Sequence, residues 1–258
     1  MKKLRFLGCG AAFTIAPDNY QSNMLLEDEE GQRLLIDCGT DVRWSLHEAG
    51  LSHRDIHDVY VSHLHSDHVG GLEWLAFSTL FDPECVKPRL HISTTMVEAL
   101  WDRVLSGGLR SIASVEASLT TYFEVNRVEK NHTFVWQGLE IGLVPTIHYH
   151  SNAVLMPTYG LFFSVDGTNV WISADTQFTP EVLADYYKKS DLIFHDCETS
   201  ITHTDVHAHY DELVTLPDEI KAKMWLYHYN RGVLPDAGKD GFRGFVHKGD
   251  VFDLIKNR

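Results

Sequence analysis

Three things are missing from the 258 residues: an apolar run near the roughly 18 needed to cross a bilayer, a Cys-x-x-Cys pair, and a linker rich in proline, glycine or serine. The first absence excludes a helical membrane span. The second leaves Cys9, Cys38, Cys85 and Cys197 scattered, which suits free thiols in a reducing cytoplasm rather than a disulfide framework. With no linker, repeat or low-complexity stretch, residues 1–258 read as a single domain. The opening Met1-Lys2-Lys3 resembles the start of an export signal, but Arg5, Gly8 and Gly10 interrupt the apolar run behind it. Positive charge is also scarce, with 22 Lys and Arg against 36 Asp and Glu and a net charge of −14. Basic residues never run longer than a pair such as Lys188-Lys189. A protein that grips a long nucleic acid usually carries a basic stripe, so a small substrate is expected instead of a polymer. Gly8 and Gly10 suggest a dinucleotide-binding turn, but Phe13 stands at the third glycine position and no crossover helix follows.

What the chain does have is His63-Leu64-His65-Ser66-Asp67-His68-Val69-Gly70-Gly71, directly after the strand-like run Val59-Tyr60-Val61. Alternate residues of an extended segment point the same way, so His63 and His65 can hold one metal ion. Asp67 and His68 lie where the chain turns toward the glycines and can face a second. Imidazole nitrogen mixed with carboxylate oxygen is the ligand set of borderline divalent ions. The spacing His-x-His-x-Asp-His resembles that of the metallo-β-lactamase-fold hydrolases. Leu4-Arg5-Phe6-Leu7-Gly8-Cys9-Gly10 and Leu34-Leu35-Ile36-Asp37-Cys38-Gly39 are similar to the strands that precede the motif in that family.

Strand patterns fall at residues 4–8, 23–27, 33–37, 58–62 and 89–93, with helices near 41–49, 69–78 and 95–104. A second half, beginning after about Val125, shows strands at 133–136, 139–146, 160–166, 168–174, 191–195 and 223–227, and helices near 179–188 and 210–218. Thr95 and Glu98 predict a capped helix start, and Asp166-Gly167 predicts a tight hairpin. These runs build an α/β sheet-on-sheet sandwich with outer helices. The resemblance implies the same: a metallo-β-lactamase αββα sandwich with two mixed β-sheets.

Further candidate ligands stand at strand ends, at His148 after Val144-Pro145-Thr146-Ile147, Asp175 after Ile172-Ser173-Ala174, and His228 after Trp225-Leu226-Tyr227. The resemblance implies that His148 joins His63 and His65, that Asp175 bridges both ions, and that His228 joins Asp67 and His68. His150 is an alternative to His148, which more directly ends the apolar run. Two divalent ions per chain are expected, zinc first and manganese as the other candidate. Ions about 3.5–4 Å apart can hold a hydroxide between them and clamp a phosphodiester. An aspartate at 175, where the β-lactam-cleaving members commonly have cysteine, points to the phosphodiesterase branch.

Phe194-His195-Asp196-Cys197-Glu198 and Asp205-Val206-His207-Ala208-His209-Tyr210 resemble the paired acidic and histidine motifs of the tRNase Z endonucleases, although His209-Tyr210 replaces Thr-Ala. By that resemblance His207 is a general acid oriented by Asp196, and the expected catalytic group is Asp67, His207 and Asp196. The long glycine-rich arm of those endonucleases is missing. Phe13-Thr14, Tyr20-Gln21-Ser22-Asn23 and Met156-Pro157-Thr158-Tyr159-Gly160 look closer to compact cyclic-nucleotide phosphodiesterases of the anti-Pycsar type. The expected activity is hydrolysis of 3′,5′-cyclic nucleotides to nucleoside monophosphates, as a counter to cyclic-nucleotide immune signalling, with tRNA 3′-end processing as the alternative. Residues 107–125 carry Ile112, Val115, Leu119, Tyr122 and Phe123 with weak secondary-structure signals. They read as a segment that covers a neighbouring active site in a homodimer, in line with the dimeric relatives the resemblance implies.

Overall fold

Short buried strands pair into two sheets of seven in the computed structural model, which describes residues 2–16, 18–113, 115–130, 132–151 and 154–254. In chain order the strands are β1 (Lys3–Phe6), β2 (Met24–Glu27), β3 (Arg33–Ile36), β4 (Asp58–Val61), β5 (Arg89–Ser93), β6 (Glu124–Val128) and β7 (Thr133–Trp136). They continue as β8 (Leu139–Thr146), β9 (Thr158–Val165), β10 (Thr168–Ile172), β11 (Leu192–Asp196), β12 (Met224–Tyr227), β13 (Gly244–Phe245) and β14 (Val251–Asp253). The first sheet runs β14-β1-β2-β3-β4-β5-β6 and the second β13-β12-β11-β10-β9-β8-β7. In the first, β14 to β3 are antiparallel and β3 to β6 parallel. The second repeats this, antiparallel from β7 to β10 and parallel from β10 to β13.

One apolar core joins the sheets. Phe6 meets Phe194 with ring centroids 5.3 Å apart, and Tyr60 stacks on Phe134 at 5.9 Å. The Tyr60 hydroxyl donates to the Tyr159 carbonyl, also across the core. β4 is buried at every position, as expected of a parallel strand covered on both faces. The outer layers carry the helices Val42–Glu48, Leu72–Leu80 and Pro180–Lys189. This is the metallo-β-lactamase αββα arrangement. Among the described residues no helix is long and apolar enough to cross a membrane.

The pairing rules place the site. β3, β4, β10, β11 and β12 belong to parallel runs, and β8 points the same way as β10 because β9 is antiparallel to both. The carboxyl ends of these strands meet at one end of the sandwich, where the candidate donors that follow them converge.

Several expectations about elements are corrected. The helix near 69–78 is two, Ser66–Val69 and Leu72–Leu80, broken at Gly70-Gly71. The helix near 210–218 is likewise two, Tyr210–Leu213 and Asp218–Lys221, separated before Pro217, which cannot donate to a preceding turn. Thr95 and Glu98 form no cap: the Thr95 hydroxyl meets Ser93 and Tyr159 instead, and Glu98 pairs with Arg127. The helix begins at Val97 and widens into a π turn over Leu100–Leu105. The division near Val125 also shifts, since β6 completes the first sheet and β14 returns to its far edge. Within 107–125, Leu119, Tyr122 and Phe123 are buried in the chain's own core, while Val115 is exposed. The hairpin at 166–167 forms as expected, with φ of 49° at Asp166 and 81° at Gly167.

Candidate metal centre

The donor loop is built by a strand that stops and a helix that starts at once. β4 ends at Val61, and His65, in extended conformation, is the N-cap of Ser66–Val69. This turn packs against the loop after β3. A Cβ on Gly39 would collide with the Asp67 carbonyl, and one on Gly71 with the Gly39 carbonyl. Only glycine lets the two loops approach so closely.

Every candidate ligand is brought together, in two groups that share Asp175: His63, His65 and His148 on one side, Asp67, His68 and His228 on the other. Asp175 Oδ2 lies 3.7 Å from His63 Nε2, 3.3 Å from His68 Nε2, 3.7 Å from His148 Nε2 and 3.6 Å from His228 Nε2. His65 presents Nδ1, at 3.0 Å from His63 Nε2 and 3.1 Å from His148 Nε2. Asp67 Oδ2 is 3.1 Å from His68 Nε2 and 3.4 Å from His228 Nε2. Ligands 2.0–2.1 Å from a tetrahedral ion stand about 3.3 Å from one another, so these separations fit such ions. Burial supports the same fit: His68 Nε2 and Asp175 Oδ1 are inaccessible yet lack a hydrogen-bond partner. His150 is exposed on a short strand, His150–Ser151, and belongs to neither group.

The far nitrogen of three of these imidazoles is fixed from behind. His68 Nδ1 bonds Asp37 Oδ2 at 2.7 Å, His63 Nδ1 meets Ser62 Oγ at 3.1 Å, and His148 Nδ1 donates to the Val206 carbonyl at 2.7 Å. Such contacts set the tautomer and leave the inward nitrogen as a lone pair. Asp37 was not identified from the sequence, although a carboxylate closing the buried run Leu34-Leu35-Ile36 repeats the pattern that singled out Asp175. Its backbone, like that of Ala174 and His228, is left-handed, with φ of 63°, 52° and 64°. All three lie just beyond strand ends at the site.

The two groups differ electrically. Burial pushes His63 well below its ordinary pKa and lowers His65 and His148 as well, which favours neutral, ligating rings. Burial also opposes charge on His68 and His228, but nearby carboxylates outweigh it and hold both well above the usual value. Burial would raise Asp67, but His68 and His228 keep its carboxyl well below the usual range. Burial pushes the Cys38 and Cys197 thiols up, so neither competes as a thiolate.

Beside these groups, His207 Nδ1 bonds Asp196 Oδ2 at 2.8 Å. Burial pulls His207 down, but Asp196 and then Asp175 outweigh it and raise its pKa. His209 has a different job: it caps Tyr210–Leu213, donates from Nε2 to the Ser200 carbonyl, and stacks on His203. Glu198 braces the same loop through Ser200 Oγ and the Thr204 amide.

The family described as Anti-Pycsar protein Apyc1 matches residues 2–252. An anti-Pycsar protein Apyc1 of Paenibacillus harenae is 37% identical over 245 residues, covering 94% of this chain and 96% of its own length. One from Bacillus phage 010DV004 is 33% identical, covering 98% of each. Among solved structures, the metallo-beta-lactamase fold protein YhfI from Bacillus subtilis superposes with a TM-score of 0.74 at 19% identity, over 97% of this chain and 98% of its own. At that identity the likeness speaks for the fold alone, but the sequence matches go further: the chain belongs to the anti-Pycsar protein Apyc1 family.

Proposed function

We propose that this chain is a two-metal phosphodiesterase that hydrolyses 3′,5′-cyclic nucleotides to nucleoside monophosphates. One observation carries the reading: a single carboxylate oxygen, Asp175 Oδ2, lies within 3.7 Å of an inward nitrogen from four histidines. His63, His65, His148 and Asp175 would hold one divalent ion, and Asp67, His68, Asp175 and His228 the other. Zinc suits these nitrogen and oxygen donors, and manganese is the alternative. Bound there, such ions would polarise phosphoryl oxygens and activate water. The names of the matched relatives support a role against cyclic-nucleotide immune signals.

The chain's own residues account for the rest. Asp37, Ser62 and the Val206 carbonyl hold the imidazoles in their ligating tautomers. Asp67, kept ionised, completes the acidic side of the site. His207, held at Nδ1 by Asp196, is free to give the proton on Nε2 to the departing ribose oxygen. An alkoxide is a poor leaving group, and such proton transfer contributes roughly 10²–10⁴-fold.

The test uses purified protein, a panel of cyclic nucleotides, a precursor tRNA and bis-nitrophenyl phosphate. Cyclic nucleotides should be the best natural substrates. His207→Ala should lose about 10²-fold or more on them and far less on the nitrophenyl ester, whose leaving group needs no proton. Cleavage of tRNA with no action on cyclic nucleotides would favour the tRNase Z reading. Equal losses on both small substrates would remove the acid role.

The same proposal includes a cytoplasmic homodimer built from one-domain chains. Leu119, Tyr122 and Phe123 lie in the chain's own core, and exposed Val115, on the strand pair of Ser111–Ile112 and Val115–Glu116, is the part of the proposed cover left to reach a partner. Light scattering should give about twice 29.4 kDa, and a strictly monomeric active enzyme would end the idea.

A further inference from the structure

Asp196 is held more completely than the orientation of one histidine requires. Its amide donates to Ser173 Oγ at 2.9 Å, and its carbonyl meets His195 Nδ1 at 2.7 Å. His195 is in turn fixed through Nε2 by the Tyr187 hydroxyl at 2.8 Å, from the helix Pro180–Lys189. All of this is buried, and Asp196 itself has no exposed surface. The carboxylate is therefore locked in position, and its two oxygens face different ways. Oδ2 accepts from the Thr176 amide at 2.9 Å and from His207 Nδ1. Oδ1 faces His228 Nδ1 at 3.3 Å. Neither of these last two atoms has any other partner, although both are shut away from water. Buried polar atoms that face each other at this distance and have nothing else to bond are each other's partners.

We infer that Asp196 is a shared positioning residue: one carboxylate aligns both the ligand histidine His228 and the general acid His207. This rests on the proposed two-metal reading and adds a coupling between the Asp67–His68–His228 ion and the proton donor. The hydrogen on His228 Nδ1 goes to Asp196 Oδ1, which directs Nε2 toward Asp67 and Asp175. Asparagine at 196 keeps the shape but loses the charge, and its one oxygen cannot serve both rings.

The experiment compares Asp196→Asn with His207→Ala. After dialysis against a weak chelator, wild type and His207→Ala should each keep about two zinc ions per chain. Asp196→Asn should keep about one, because a lost bond behind a ligand histidine costs roughly 10–100-fold in affinity. Excess zinc should then restore the ion but not the turnover of cyclic nucleotide, since a neutral amide no longer supports the charged form of His207. Two ions held by Asp196→Asn with wild-type affinity would overturn the coupling. A wild type that binds no metal would instead strike the underlying reading. Where Asp196→Asn does not fold, imidazole nitrogen spectra of the wild-type zinc form decide the matter. A protonated, hydrogen-bonded His228 Nδ1, identified by its loss in His228→Ala, supports the assignment, and an unprotonated Nδ1 refutes it.

Discussion

The two sheets share one pairing scheme, three antiparallel contacts followed by three parallel ones, but they deliver their donors in opposite styles. The first sheet supplies His63, His65, Asp67 and His68 from a single turn after β4. The second supplies His148, Asp175, Asp196 and His228 one at a time, each at or just beyond the end of a different strand. A single turn fixes its donors by local backbone geometry and glycine contacts. Donors on separate strands depend on sheet register, since a slip of one residue reverses every side chain. The centre thus joins a local device to a global one, and Asp175 is where they meet.

Removing that meeting point should have the largest effect. Asp175→Ala is expected to reduce turnover of cyclic nucleotides by well over the roughly 10–100-fold typical of lost outer bonds, with circular dichroism unchanged. Near-normal rates would mean that the two halves do not depend on a common carboxylate. A smaller effect should follow from Asp37→Ala, which strips the support behind His68 in the local half. Metal affinity should fall about 10–100-fold, and metal titration would show it. An unaltered affinity would show that the turn alone holds His68. The corresponding support for His148 is the Val206 backbone carbonyl, which no side-chain change removes. The smallest effect belongs to the hairpin that sets the register of β9 and β10. Gly167→Ala at φ 81° should cost about 1 kcal/mol and lower Tm by some 2–4 °C, with activity retained. A loss of activity there would show that register reaches the site more strongly than the local half does.

The same contrast explains what was legible in the sequence. The contiguous motif could be read outright because local geometry makes its chemistry. His148, Asp175 and His228 were identified as carboxylate or imidazole at the end of an apolar run, and the structure brings all three to one point. Asp37 carried the same signal and was passed over because its partner, His68, lies 31 positions away. The contact of His228 with Asp196 could not be read at all, since it depends on the neighbouring register of β11 and β12. Helices were over-extended where a break was required: Gly70-Gly71 serves the loop contact at Gly39, and Pro217 interrupts hydrogen bonding. The burial of Leu119, Tyr122 and Phe123 within residues 107–125 was not legible, because it comes from long-range packing, which periodicity does not report.

The return of β14 has a consequence for how the molecule is made. Lys3–Phe6 leaves the ribosome long before its outer neighbour, Val251–Asp253. Closing so long a loop adds little free energy, because each doubling of length costs only about 0.6 kcal/mol. The delay matters more. Until Val251–Asp253 has been made, the outer edge of β1 lacks this partner, and an unpaired edge is a template for other chains. A chain clipped before Val251 would keep every donor of the metal centre and still carry that open edge. Its expected defect is self-association, with the chemistry intact.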